Sequence, residues 1–229
     1  MRPLHITVTL ASPITVPERP IHLDALLAWA AVDAEIGSGA DGKTALLAQD
    51  TLPLDRTEGE GWTWKASQLV FTPRDNPFLV AAIRSTNIQE MAFDRAAGVV
   101  DFGIKVAVNL GTGPDRNYDY RFAAQWCASA EAWCVGDPEK IKALLATLPG
   151  IGKRRRNGWG AIKEISVVEV GASECHWNRR TLPMSSPCAI PAAHVPSNGT
   201  LRPPYWDRLQ YGEVLEYVTP LSLLVKAAA

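Results

Sequence analysis

The run Gly150-Ile151-Gly152-Lys153-Arg154-Arg155-Arg156-Asn157-Gly158-Trp159-Gly160 carries four glycines and four consecutive cations between a helical pattern and a strand pattern. Glycine tolerates positive φ and has no Cβ, so its backbone N–H groups can turn toward an anion and form a concave site. Lys153, Arg154, Arg155 and Arg156 add charge at the same place, and Trp159 offers a flat face on which a base or sugar can stack. The chemistry is the capture of a polyanion. A solvated connection has the same composition, and Trp159 can equally begin a core strand, so both readings stay open at this level.

Nucleotide-cofactor loops fit poorly. A Walker loop needs Gly-Lys followed by Ser or Thr, and a dinucleotide fingerprint needs strand, loop, then helix; here the helix precedes the loop, and Arg155 occupies the position of the third glycine. His22, just before the first helical pattern, is the one candidate for proton transfer near neutral pH. No acid or lysine in the adjacent sequence completes such a site, and helix initiation explains His22 better. Cys127, Cys134, Cys175, His176, Cys188 and His194 fit no zinc spacing, and no nucleophile pairs with a base. No metal, cofactor or covalent catalysis is expected.

The elements that position the loop follow from periodicity. Leu4, Ile6, Val8 and Leu10 alternate with His5, Thr7 and Thr9, which predicts a strand with one buried face. Leu23, Leu26, Leu27, Ala30, Ala31 and Ala34 recur at helical spacing with Asp24 in the first turn, and Gly37-Ser38-Gly39 ends that helix. Residues 40–61 read as a long loop, and 62–71 as a strand. Residues 78–98 are ambiguous, 99–110 are strand-like, and 111–117 form a turn or hairpin tip followed by alternating Tyr118, Tyr120 and Phe122. Trp126 to Val135 is another strand. Asp137 as N-cap and Pro138 at N1 open a helix with Ile141, Leu144, Leu145 and Leu148 on one face. Residues 161–170 make the closing strand.

This order predicts an α+β fold: a ferredoxin-like, RRM-like core over residues 1–170, with a β-hairpin inserted at about 99–125. Seven prolines lie between Pro183 and Pro220, so residues 171–229 are expected to be an extended Pro-rich C-terminal segment packed on the core. The 229 residues carry a formal net charge of only −1, so a nucleic-acid surface must arise from local clustering. Four cysteines without a C-x-x-C pair fit reduced thiols, and no stretch has the length of a membrane span. A cytoplasmic, soluble protein is expected.

The N-terminal strand, the segment Arg19-Pro20-Ile21-His22-Leu23-Asp24-Ala25-Leu26-Leu27-Ala28 opening the first helix, the Gly150 to Gly160 loop and the Arg202-Pro203-Pro204-Tyr205-Trp206 tail together resemble the RAMP superfamily of CRISPR-associated proteins. Within it they are similar to the type IV effector subunit that corresponds to the Cas-five group. The resemblance implies a non-catalytic subunit that binds the five-prime handle of a crRNA. It also implies contacts with the backbone subunits and the large subunit of a ribonucleoprotein, with target DNA reached through the complex and no membrane partner. It further implies a hairpin thumb reaching toward RNA, for which Lys105, Arg116, Tyr118, Tyr120 and Arg121 are the candidates beside the loop residues 150–160. The alternative for Tyr118 and Tyr120 is packing on the sheet. Two rival functions remain: a metal-independent RAMP endoribonuclease using His22, and a protein–protein scaffold anchored by Trp177, Pro203, Pro204, Tyr205 and Trp206.

Overall fold

Leu4, Ile6, Val8 and Leu10 of β1 (Arg2–Leu10) are all buried, because period-two alternation presents one face of the strand to the helices that cover it. The computed structural model describes residues 1–59, 61–85, 93–94, 96–98 and 116–218. After β1 and the short β2 (Ile14–Thr15) comes α1 (Leu23–Gly37), which buries Leu23, Leu26, Leu27 and Ala30. Gly39, at φ +96°, follows its C-terminus, where a left-handed residue lets the chain leave the helix. The segment expected to be one long loop contains α2 (Gly42–Leu46) and a 3-10 turn at Leu47–Asp50. Asp41 makes this possible, its carboxylate accepting from the backbone N–H groups of Lys43 and Thr44; the surrounding Gly, Asp and Thr hide so short a helix in the sequence.

The main sheet is built from β3 (Val70–Pro73), β6 (Cys127–Gly136), β1 and β7 (Ile162–Glu169), in the spatial order β3-β6-β1-β7 with every neighbouring pair antiparallel. The residues between 52 and 68 run as isolated bridges beside this sheet instead of a continuous strand, pairing Leu54 with Gly136 and Ala66 with Cys134. α3 (Pro138–Ala146) begins as its sequence predicts: Asp137 accepts from the Glu139 and Lys140 N–H groups and Pro138 occupies the first turn. Ile141 and Leu145 then join the same apolar cluster as α1 and β1.

A second compact unit, residues 78–124, contains β4 (Phe78–Arg84) and β5 (Tyr118–Gln125). They pair antiparallel, from Phe78 opposite Ala124 to Arg84 opposite Tyr118. Alternation puts Tyr118, Tyr120 and Phe122 on one face, with ring centroids 5.2 and 6.2 Å apart in series. Residues 99–115, including Lys105 and most of the expected hairpin, lie outside the described residues.

The C-terminal segment forms a three-stranded antiparallel sheet of β8 (Leu182–Pro183), β10 (Gly212–Tyr217) and β9 (His194–Gly199), in that spatial order. It is tied to the core by Arg180, whose side chain is fully buried. Its guanidinium donates to the Asp24 carboxylate at 3.1 Å, the carbonyls of Trp64, Ala66 and Leu201, and the Tyr205 hydroxyl; its Nε donates to the Thr181 carbonyl. The Tyr205 hydroxyl donates in turn to Asp24. Asp24 is thus no exposed helix-dipole acid: it is fully buried and neutralises a buried cation. Burial works against the charged form of Arg180, but Asp24 overrides it and the guanidinium pKa is held up.

Removing one partner of a buried pair strands the other charge, at a cost of about 3–5 kcal/mol. Arg180→Met is therefore expected to lower the urea midpoint sharply or prevent folding, whereas Arg2→Ala, which breaks an exposed pair with Glu169, leaves the midpoint nearly unchanged. Equal midpoints for Arg180→Met and the unaltered protein would contradict this account.

Candidate nucleic-acid interface

The glycine loop is closed at its stem by hydrogen bonds of its own. Ile151 N–H donates to the Gly160 carbonyl and Gly160 N–H to the Pro13 carbonyl, both at 2.8 Å. Ser12 pins the far side, its hydroxyl donating to the Gly158 carbonyl and accepting from Ala161 N–H. Gly160 has φ +65°, and a Cβ there would drive into the Ile151 carbonyl; the position needs glycine for both reasons. Several amides expected to face an anion are thus used inside the loop: those of Ile151, Asn157, Gly158, Trp159 and Gly160 all donate to backbone carbonyls. The glycines close the loop, and the side chains carry its outward chemistry.

Those side chains are not equivalent. Arg155 lays its guanidinium over the Trp29 ring of α1, 3.8 Å from the centroid, a contact of about 0.5–2 kcal/mol. Partial burial lowers the pKa of Arg155, Arg156 lowers it further, and Asp33 acts the other way. Lys153 reaches Glu18 at 3.0 Å on the surface. Arg156, Asn157 and Gly158 are exposed, Arg154 and Trp159 half-buried, and Gly150 buried at the stem. Gly152, Lys153 and Arg155 border a cleft of about 540 Å³ whose opposite wall is Leu26 and Trp29 of α1, with Pro17 and Ile21. Cations thus meet a flat aromatic and an apolar hollow, a combination suited to the backbone and unstacked bases of a single strand.

The open face of the main sheet offers little for RNA. RRM-type recognition stacks bases on sheet aromatics, but the strand centres here present Thr7, Thr9, Ser129, Glu131 and Ser166. Trp133 is buried, stacked on His5 and covered by Arg179. In the 78–124 unit, Arg116 and Arg121 are exposed, as are Tyr118 and Tyr120 on the aromatic face of the hairpin.

His22 does not sit on an exposed flank. It is 4 % exposed and holds the N-cap position of α1 by backbone geometry without a side-chain cap. Its ring stacks on Tyr205 at 4.8 Å, and Nε2 lies 3.3 Å from the Thr181 hydroxyl. Burial, then the nearby Arg180 charge, pushes its pKa well below the usual value. Cys127, Cys134 and Cys175 are buried, and burial raises each thiol, Cys127 to about 11. Among the described residues no group of three or more His, Cys, Asp or Glu side chains is arranged to hold a metal. No described helix is long and apolar enough to cross a membrane.

Sequence reasoning missed Trp29, Glu18 and Arg180. A usable signal existed for the first: Ala25, Trp29 and Asp33 are spaced by four and form a stripe along α1, and that stripe faces Arg155. Nothing local marks Arg180, whose partners are set by contacts across more than 100 residues.

These features define an α+β protein with a largely antiparallel scaffold and a basic, aromatic-backed loop. The chain belongs to the family CRISPR type IV associated protein Csf3, whose family model matches residues 2–217; this is the Cas5-like subunit of type IV. It is therefore a subunit of a type IV CRISPR complex that assembles with other Cas subunits. No curated protein matches the chain.

The unfolded chain protonates His22 near pH 6.5 while the folded chain resists, so the unfolded state binds more protons below that pH. Stability then falls as pH drops through 6.5, with a maximum slope of about 1.4 kcal/mol per pH unit from this residue. Denaturant midpoints measured from pH 7.5 to 5.5 are expected to fall less steeply in His22→Phe than in the unaltered protein; identical slopes would contradict this.

Proposed function

We propose that this subunit binds the five-prime handle of the crRNA in a type IV effector ribonucleoprotein, in the cytoplasm of a prokaryote, with the Lys153–Arg156 loop gripping phosphates. The observation that carries this is the Arg155–Trp29 stack beside the 540 Å³ cleft: one cation is pre-positioned on an aromatic shelf, and Arg156 projects next to it. The strand order β3-β6-β1-β7, with α1 and α3 between successive strands, supports a ferredoxin-like RAMP core, since a β-α-β-β-α-β chain gives that order. The paired strands β4 and β5, with Arg116, Arg121, Tyr118 and Tyr120 on or beside β5, support a second RNA contact. In this reading the backbone and large subunits dock on other faces, and target DNA is met through the assembled complex. The subunit is a binder and not a nuclease: burial and the Arg180 charge hold His22 neutral, unlike an acid-base residue that must take up and release a proton near neutral pH.

Each phosphate neutralised on a single strand contributes about 0.7 to the slope of log K against log salt. The four cations are consecutive and cannot all face one strand, so two or three of them engage RNA. Replacing Lys153, Arg154, Arg155 and Arg156 by Ala is expected to reduce that slope by roughly 1.5–2 and to weaken binding of the co-purifying guide, with the circular dichroism spectrum unchanged. An unchanged slope would remove the loop from the RNA site. For the non-catalytic assignment, precursor guide RNA incubated with the metal-free protein is expected to remain intact; cleavage that disappears in His22→Ala would favour the endoribonuclease instead.

A further inference from the structure

A second cleft, of about 280 Å³, opens on the other side of the Glu18-Arg19 segment, between the start of α1 and the C-terminal sheet. Its size is just under that of pockets for drug-sized ligands, about 300–1,000 Å³, and suits one base with its sugar. The register of β9 and β10 sets Ser197 opposite Val214 and Gly199 opposite Gly212, so Ser197, Gly199, Val214 and Glu216 share one face of that sheet. The small Ser197 and Gly199 leave room above the buried Val214. The stacked His22–Tyr205 pair contributes another wall.

Several polar groups converge here with their hydrogen-bonding capacity unused. His22 is buried, yet its Nδ1 has no partner among the described residues. That atom is closed off from solvent, so the chemistry of the cleft comes from other groups. Glu216 and the exposed Arg19, which also borders the first cleft, line this one, and neither makes an ion pair or side-chain hydrogen bond among the described residues. Arg180, the strongest charge nearby, is already spent on Asp24. Glu18 is paired with Lys153, and Glu216 balances the charge of Arg19, which disfavours a phosphate. What remains is one fork of donors, one carboxylate and neutral polar groups, around a slot with aromatic rings in its wall.

We propose that this cleft takes a single unstacked guanine base of the bound RNA. Guanine matches both free side chains: its O6 and N7 accept a bidentate pair from an arginine, and its N1–H and N2–H₂ are adjacent donors for a carboxylate. Adenine presents a donor at the position of O6, which opposes Arg19, and inosine lacks the N2 donor. Single-stranded RNA is read in this manner, by splaying a base out and satisfying its edge in a pocket. Glu18 also holds Lys153 of the glycine loop, so the Glu18-Arg19 segment joins the base cleft to the phosphate-binding loop.

The inference rests on the reading of the protein as an RNA binder, and its test separates the two. The intact protein is titrated by calorimetry with guanosine, inosine, adenosine, cytidine and uridine, which carry no phosphate and so do not depend on the loop. Guanosine is expected to bind about tenfold more tightly than the others, the worth of one good bidentate contact. Glu216→Gln is expected to erase the preference for guanosine over inosine, and Ser197→Leu to block nucleosides while leaving the salt slope for RNA unchanged. A short oligouridylate carrying one guanine is expected to outbind the all-uridine strand by about the same factor. Equal binding of all five nucleosides, or a preference for guanosine over inosine that survives in Glu216→Gln, would overturn the proposal. Guanosine binding without any gain for the guanine-bearing strand would assign the cleft to a free nucleoside and overturn the RNA assignment. Failure of the loop itself would appear separately, as a lost change in salt slope.

Discussion

The ion pair between Arg180 and Asp24 holds the main unit of this protein in register. Three pieces of chain distant in sequence meet at one guanidinium: the first turn of α1, the bridging segment at Trp64 and Ala66, and the C-terminal segment through Thr181, Leu201 and Tyr205. Two buried charges carry a large desolvation cost, which is recovered only if geometry is good and the remaining donors are satisfied. Here the guanidinium finds carboxylate, carbonyl and hydroxyl acceptors around its edge, so the pair constrains position in a way that an apolar contact of equal volume does not. The start of α1 is fixed by it, and with it His22 and the stripe of Ala25, Trp29 and Asp33.

From that fixed helix the site geometry follows. Trp29 supplies the shelf for Arg155, and Glu18, just upstream of the helix, supplies the partner for Lys153. The loop is anchored at its base by Gly160, Ser12 and Pro13, and its cations are directed by groups on the N-terminal segment. Rigid stem and oriented side chains give the pre-organisation that lowers the entropic cost of binding a flexible strand. On a protein of nearly neutral net charge the four cations of Lys153–Arg156 make a concentrated basic patch, and the proposed RNA contact would give that patch its partner.

The strands and helices with strong periodicity were legible in the sequence. β1, α1, β6, α3 and β7 each occupy the stretch that alternation or capping marked, and Asp137 caps α3 as read. What escaped was the chemistry of residues whose role depends on distant partners. Asp24 looks like an ordinary first-turn acid, since a helix N-terminus favours one anyway, and only the folded chain brings Arg180 to it. The burial of His22 is invisible beside its neighbours in sequence, because the residues that enclose it, Thr181 and Tyr205, arrive from the far end of the chain. The glycine loop was found by composition, but its amides were credited to a ligand when five of them close the loop. Residues 62–68 were read as strand; they bridge one residue at a time because they must also supply carbonyls to Arg180.

The late position of Arg180 in the chain has a bearing on biosynthesis. While the ribosome is still adding residues short of that point, the hydrophobic cluster of β1, α1 and β3 can already gather, but the carboxylate inside it has no counter-charge. The nascent polypeptide must leave that corner wet or keep the acid protonated until translation delivers the arginine and Tyr205 behind it. Prematurely terminated products therefore retain an open, hydrated seam where the complete subunit is sealed, a difference that a quality-control protease can act on before a defective copy joins the complex.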